Sequence, residues 1–246
     1  MITIQKAQAR GQADYGWLKA NYSFSFAEYY NPKRMGFRSL RVLNEDFIAP
    51  SGCFPRHGHR DMEILTYVLE GTLEHTDSMG NRAEIRAGEL QLMSAGQGVS
   101  HSEANPSPTE PLHLFQIWIE PSATGLAPRY FQREFPTLWD EWQLVVTPDT
   151  SVLKGVPGDT PTASGSDTGA FPIRQDVTVS TTTLHENAAL SYTIPIGRHV
   201  YLHVTKGCIE VDSISLQAGD SLAISEQSRL DLTAITESEA LLFDLA

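Results

Sequence analysis

Two histidines stand one residue apart in CFPRHGHRDMEILTYVLEG, residues 53–71, and a histidine and a glutamate stand one residue apart in SAGQGVSHSEAN, residues 94–105. Side chains alternate faces along a β-strand, so His57 and His59 point the same way, and so do His101 and Glu103. Neighbouring strands with those faces inward would bring three imidazoles and a carboxylate together. That donor set suits a divalent transition metal such as Fe, Ni, Co, Mn, Cu or Zn, and leaves one or two coordination positions for substrate, water or dioxygen. An isolated HxH is common in surface loops; the second His/Glu pair turns the motif into a candidate metal centre. Glu63 lies four residues after His59 and in an unbroken strand faces the same side. Either Glu63 or Glu103 completes the set, and the other orients a histidine or shuttles a proton. Proximity to His101 favours Glu103.

The elements around these residues read as strands. ILTYVL, GTLEHT, AEIRA, LQLMSA and LHLFQIWIE, and later VTVSTTTL, LSYTIPI, VYLHVT, CIEVDSISL, SLAIS and EALLFDLA, are short β-rich runs between Gly, Asn, Asp and Ser turns. Many short strands with frequent turns predict an all-β sandwich or barrel. Residues 126–142, interrupted by Pro128 and Pro136, are the most helix-like or irregular stretch. Residues 147–170 are rich in Gly, Pro, Ser, Thr and Asp, which predicts a linker or a long mobile loop.

The chain repeats itself weakly on either side of that stretch. TYVLEGTLEHTDSMGNRAEIRAGELQLMSAG at 66–96 resembles LHVTKGCIEVDSISLQAGDSLAIS at 202–225, which predicts two copies of one β-fold. Counted from Gly207 and Gly219, the positions matching His57, His59 and Glu63 are Thr193, Pro195 and His199, and those matching His101 and Glu103 are Leu232 and Ala234. The donor cluster belongs to the first copy, so the fold itself does not require it.

Composition narrows the function classes. Of 246 residues, 41% are hydrophobic and 20% charged, as in ordinary globular proteins, and no apolar run approaches a membrane span. Thirty acidic against 18 basic residues give a net charge of −12, which repels a phosphate backbone, so direct nucleic-acid binding is not expected. The opening MITIQKAQARGQADYGW has no basic segment followed by an apolar one, and Cys53 and Cys208 form no CxxC; a cytoplasmic protein with reduced thiols is expected. Phe47, Phe54, Met93, Phe115 and Trp118 are candidate walls for a flat substrate, although core packing is the commoner role for each. His75 and His113 lie in strands and face inward or serve as satisfied core or surface histidines. FSFAEYYNP, residues 24–32, is aromatic enough for a lid or for packing between domains.

HGHRDMEILTYVLEG and AGELQLMSAGQGVSHSEAN resemble the two cupin motifs as they occur in pirins, and FSFAEYYNPKRMGFRSLRVLNED, LHLFQIWIEP and PRYFQREF resemble bacterial pirin-like quercetinases. The resemblance covers nearly the whole chain and is most specific in the first 145 residues. It implies a bicupin, two antiparallel β-barrel (jelly-roll) domains in one chain: an N-terminal metal-binding barrel over 1–145, a linker or mobile loop over 146–170, and a degenerate C-terminal barrel without metal over 171–246. It implies His57, His59, His101 and Glu103 as ligands of one divalent metal, iron first among those above. The implied reaction is the 2,3-dioxygenation of quercetin with release of carbon monoxide, Glu103 acting as base. Flavonoid and dioxygen are then the partners, and a monomer is expected because two barrels of one chain bury the surface single-barrel cupins use for dimerisation. The alternatives are a metal-dependent, redox-sensing pirin that docks to a protein partner and a cupin enzyme acting on another small substrate. Two departures from the family pattern stand beside the ligands: Gly58 where Pro is usual, freeing φ in the ligand strand, and Arg56, a cation that would oppose a metal or steer an anionic flavonolate.

Overall fold

The β-branched and aromatic runs form strands almost throughout the computed structural model, which describes residues 1–151 and 169–246. β1 (Ile2–Gln5) and a 3-10 turn at Ala7–Ala9 come first. Nine strands follow: β2 (Gly11–Asp14), β3 (Leu18–Tyr22), β4 (Leu40–Ile48), β5 (Cys53–Glu70), β6 (Thr72–Asp77), β7 (Arg82–Arg86), β8 (Glu89–Ala104), β9 (Leu112–Ile119) and β10 (Arg129–Glu134). The remainder are β11 (Gln143–Pro148), β12 (Phe171–Ile173), β13 (Val177–Leu184), β14 (Ala189–Thr193), β15 (His199–Lys206) and β16 (Cys208–Val211). They are completed by β17 (Ile214–Gln217), β18 (Ser221–Ile224), β19 (Arg229–Ala234) and β20 (Ser238–Leu245).

The strands form two units, Gly11–Pro136 and Met1–Arg10 with Thr137–Ala246. In the first, the order is β2-β3-β4-β9-β5-β8-β6-β7, with β10 also paired to β8. Leu18, Ile48, Val68, Leu73, Ile85, Leu112 and Leu114 form a core within it. The second holds a seven-stranded sheet, β1-β18-β15-β20-β13-β11-β12, and a four-stranded sheet, β14-β19-β16-β17. The all-β, jelly-roll class with two units in one chain, read from the sequence, is the one found, although the sheets are not closed barrels; among the described residues every ladder is antiparallel except β11 with β12.

Three details differ from expectation. The N-terminal unit does not span 1–145: β1 pairs with β18, and β11 pairs with β13, so residues 1–10 and 137–145 belong with the C-terminal unit. The ladder partner of β1 lies more than 200 residues away, which leaves no local trace in sequence. Residues 126–142 are not helical but contain β10, for which β8 supplies hydrogen-bond partners, with Pro128 and Pro136 just outside the strand. Of the expected linker, 146–170, the first residues belong to β11, and 152–168 lie outside the described residues.

The internal repeat is visible as equivalent hairpins. Gly71 (φ +83°) joins β5 to β6 and Gly207 (φ +77°) joins β15 to β16; a Cβ there would meet the Pro111 or Glu237 carbonyl oxygen at 2.8 or 2.2 Å, so only glycine fits. Leu73 then pairs with Ile85 as Ile209 pairs with Leu216. Following that register, His75 opposite Glu103 corresponds to Val211 opposite Leu232, and His57 opposite His101 to Tyr192 opposite Leu230. The match moves two residues from the counted one, Leu232 and Ala234, because the single strand β8 is represented in the second copy by β18 and β19, with a break between them. Val211, Leu230 and Leu232 are buried in the apolar core of their unit, and Tyr192 packs against it.

Candidate metal centre

β5 and β8 are antiparallel neighbours with His57 opposite His101 and Phe54 opposite Glu103. The three-residue step on β5 against two on β8 is a bulge, and it turns Phe54 onto the face that carries His57 and His59. Nε2 of His101 lies 2.9 Å from Nε2 of His59 and 3.0 Å from Nε2 of His57. His101 is thus about 3 Å from each of the other two, and the ligand atoms of all three histidines lie within 4.8 Å of one another, close enough to share one divalent ion. Burial, then the other imidazoles nearby, pushes His59 down to about 4 and His101 down to about 3, so both are neutral donors at pH 7. Nδ1 of His57 lies 2.9 Å from the Pro55 carbonyl oxygen, which only accepts; the hydrogen is on Nδ1, and a neutral His57 offers a bare Nε2 to the site.

Glu103 lines the same cavity as the three histidines, and its carboxylate groups with His101 and His75, all three buried. The Gln116 amide donates to both its oxygens, at 2.9 and 3.2 Å. Burial pushes the carboxyl up to about 7, with the Gln116 hydrogen bond acting in the opposite direction. Glu63 is elsewhere. Asp61 adopts φ +64° and interrupts the alternation of β5, so that Ile64, opposite Trp118, shares the cavity face and Glu63 turns away. There it is fully buried and accepts a hydrogen bond from the Ser94 hydroxyl at 2.8 Å.

The cavity, about 300 Å³, is bounded by Leu18 and Tyr22 of β3, Asn44 and Asp46 of β4, Phe26, Phe54 and Trp118. Trp118 meets the His59 ring edge-on at 4.9 Å and Phe26 at 5.4 Å. Of the five candidate walls, Phe54 and Trp118 therefore take that role. Met93 and Phe115 are wholly buried core, and Phe47 is 39% exposed, stacked on His113, whose Nε2 faces Glu45 at 3.1 Å. Phe26, from the aromatic run 24–32, is part of the wall. Arg56 directs its Nε to the Ser100 hydroxyl at 3.3 Å and is not among the residues bounding the cavity. Asn44, Asp46 and Gln116 escaped the sequence reading, since each is an ordinary polar residue within a strand and only the sheet order brings it to the site.

Comparison with known proteins gives matches along most of the chain. The family model Pirin matches residues 3–119, and the model for a quercetinase C-terminal cupin domain matches residues 162–245. The quercetin 2,3-dioxygenase of Escherichia coli K12 is 44% identical over 245 residues, covering 100% of this chain and 99% of the relative. A putative quercetin 2,3-dioxygenase of Pasteurella multocida is 42% identical over 249 residues, covering both chains completely. The crystal structure of the E. coli bacterial pirin YhhW in complex with nickel(II) superposes with a TM-score of 0.89 at 43% identity, covering 100% of this chain and 99% of that one.

Proposed function

The chain belongs to the pirin family, and from that premise we propose that it is a metal-dependent dioxygenase that opens the flavonol ring of quercetin with dioxygen and releases carbon monoxide. The observation that carries this reading is the convergence of three imidazoles, with Nε2 of His101 about 3 Å from Nε2 of both His57 and His59, at an aromatic-walled cavity that also holds a buried carboxylate. His57, His59, His101 and Glu103 are the residues proposed to hold the ion. Iron is the proposed metal, and nickel, present in the E. coli relative's structure, is the alternative that elemental analysis distinguishes.

When bound, the ion supplies Lewis acidity toward the flavonol oxygens and a route for electrons between the flavonol and dioxygen. Phe26, Phe54 and Trp118 receive the flat rings and exclude water. Glu103 takes the proton of the 3-hydroxyl, held in place for that transfer by the Gln116 amide. Both atoms of dioxygen end in the products: one ring carbon leaves as carbon monoxide, and the remainder is a depside. The same proposal includes a monomeric, cytoplasmic protein, in keeping with its two free cysteines.

Aerobic incubation of the metal-analysed protein with quercetin should bleach the flavonol absorption and release one carbon monoxide per quercetin consumed, and His101→Ala should abolish both. A fully loaded protein that leaves quercetin intact with every divalent metal tried would overturn this substrate.

A further inference from the structure

His75 and Asp77 do not bound the cavity, yet both are buried. β6 lies beside β8 with Asp77 opposite His101 and His75 opposite Glu103. Asp77 Oδ1 accepts the backbone N–H groups of Met79 and Asn81, at 2.9 and 3.0 Å. Its Oδ2 accepts from the Asn81 side chain at 2.7 Å and faces Nε2 of His75 at 3.3 Å. A carboxylate only accepts, so the hydrogen of His75 is on Nε2, and a buried neutral imidazole then has a bare Nδ1. That atom faces Nδ1 of His101 at 3.5 Å. Two ring nitrogens in contact share one hydrogen, which must be on His101.

We propose that Asp77 and His75 are positioning residues, a relay that fixes His101 as its Nδ1–H tautomer and thereby presents the Nε2 lone pair of His101 to the metal. The proposal rests on the reading of this site as a metal centre. It is the indirect counterpart of the carboxylate–histidine pairs that support metal ligands, with a second imidazole interposed. The internal repeat agrees: where His101 and Glu103 correspond to leucines, the position of His75 is Val211.

Asp77→Asn tests it directly. The amide oxygen is claimed by the N–H groups of Met79 and Asn81, which turns the NH2 toward Nε2 of His75. A donor there moves the His75 hydrogen to Nδ1, and His101 must respond by carrying its own on Nε2, inside the site. Metal affinity, measured calorimetrically against a competing chelator, should fall about 10- to 100-fold. Imidazole 15N shifts of the metal-free protein should show His101 change from Nδ1–H to Nε2–H. His75→Asn places an amide oxygen near the former Nδ1 and accepts from His101 without help from Asp77. It should retain most of the affinity, and adding Asp77→Asn to it should cost nothing further, whereas a merely structural role would make the losses additive. Unchanged affinity and tautomer in Asp77→Asn, or an equal loss in both backgrounds, overturns the relay. Should Asp77→Asn fail to fold, His75→Leu against His75→Asn decides, and equal affinities overturn it. Wild-type protein that takes up no metal overturns the metal-centre reading; protein that loads but carries His101 as Nε2–H overturns the relay alone.

Discussion

With burial holding the Glu103 carboxyl at about 7, roughly half of the metal-free molecules carry a proton there at neutral pH. A cation bound beside it favours the carboxylate and expels that proton. The contribution is largest below pH 7, where the carboxyl starts protonated, and vanishes toward pH 9, where it starts ionised. His59 and His101, at about 4 and 3, are already neutral throughout this range and release nothing. Metal titrations at pH 7 in two buffers of different ionisation enthalpy should therefore show about half a proton more released by the wild type than by Glu103→Gln, the difference closing near pH 9. The same variant should keep its metal on three imidazoles and lose about 10²- to 10⁴-fold in turnover. Unchanged turnover would remove Glu103 from the chemistry.

At the scale of elements, the ligand strand is more tolerant than its glycine suggests. Gly58 does not occupy the left-handed region, and a Cβ there would meet only the Val99 carbonyl oxygen, at 3.9 Å. Gly58→Ala should accordingly raise stability by about 0.5 to 1 kcal/mol in denaturant unfolding, through reduced freedom of the unfolded chain, with metal affinity unchanged. Alternation along β5 and β8 was enough to read His57, His59, His101 and Glu103 onto shared faces, and the turn glycines were enough to reveal the repeat. What alternation could not show is where it fails. Asp61 enters the left-handed region and sends Glu63 to the far side, and the bulge before His57 brings Phe54 onto the cavity face. Nor could it show which strands become neighbours. Asn44 and Asp46 reach the cavity from β4, and His75, paired with Asp77, reaches His101 only because β6 lies against β8 in one register. The pattern His75-x-Asp77 has the same one-residue spacing as the ligand pairs, a signal that gains meaning only once that register is known.

For the whole molecule, the donors proposed for the ion all lie in the unit Gly11–Pro136. A ligand stabilises what it binds by about 2.7 kcal/mol at a free concentration 100 times its dissociation constant. Stripping the metal should thus lower the melting of that unit, by on the order of 10 °C. Hydrogen exchange in β13, β15 and β20 should stay as it was. Equal loss of protection in both units would contradict a site confined to one.

The second copy of the fold carries a further consequence. With Val211, Leu230 and Leu232 where the first has His75, His101 and Glu103, the topology forms without the donor cluster at those positions. The architecture is thus not assembled around an ion as a zinc finger is. Which ion occupies the first copy is then expected to follow the general affinity order of divalent ions and their supply. The same polypeptide drawn from an iron-rich and a nickel-rich culture should be two different preparations, interconvertible by dialysis without refolding.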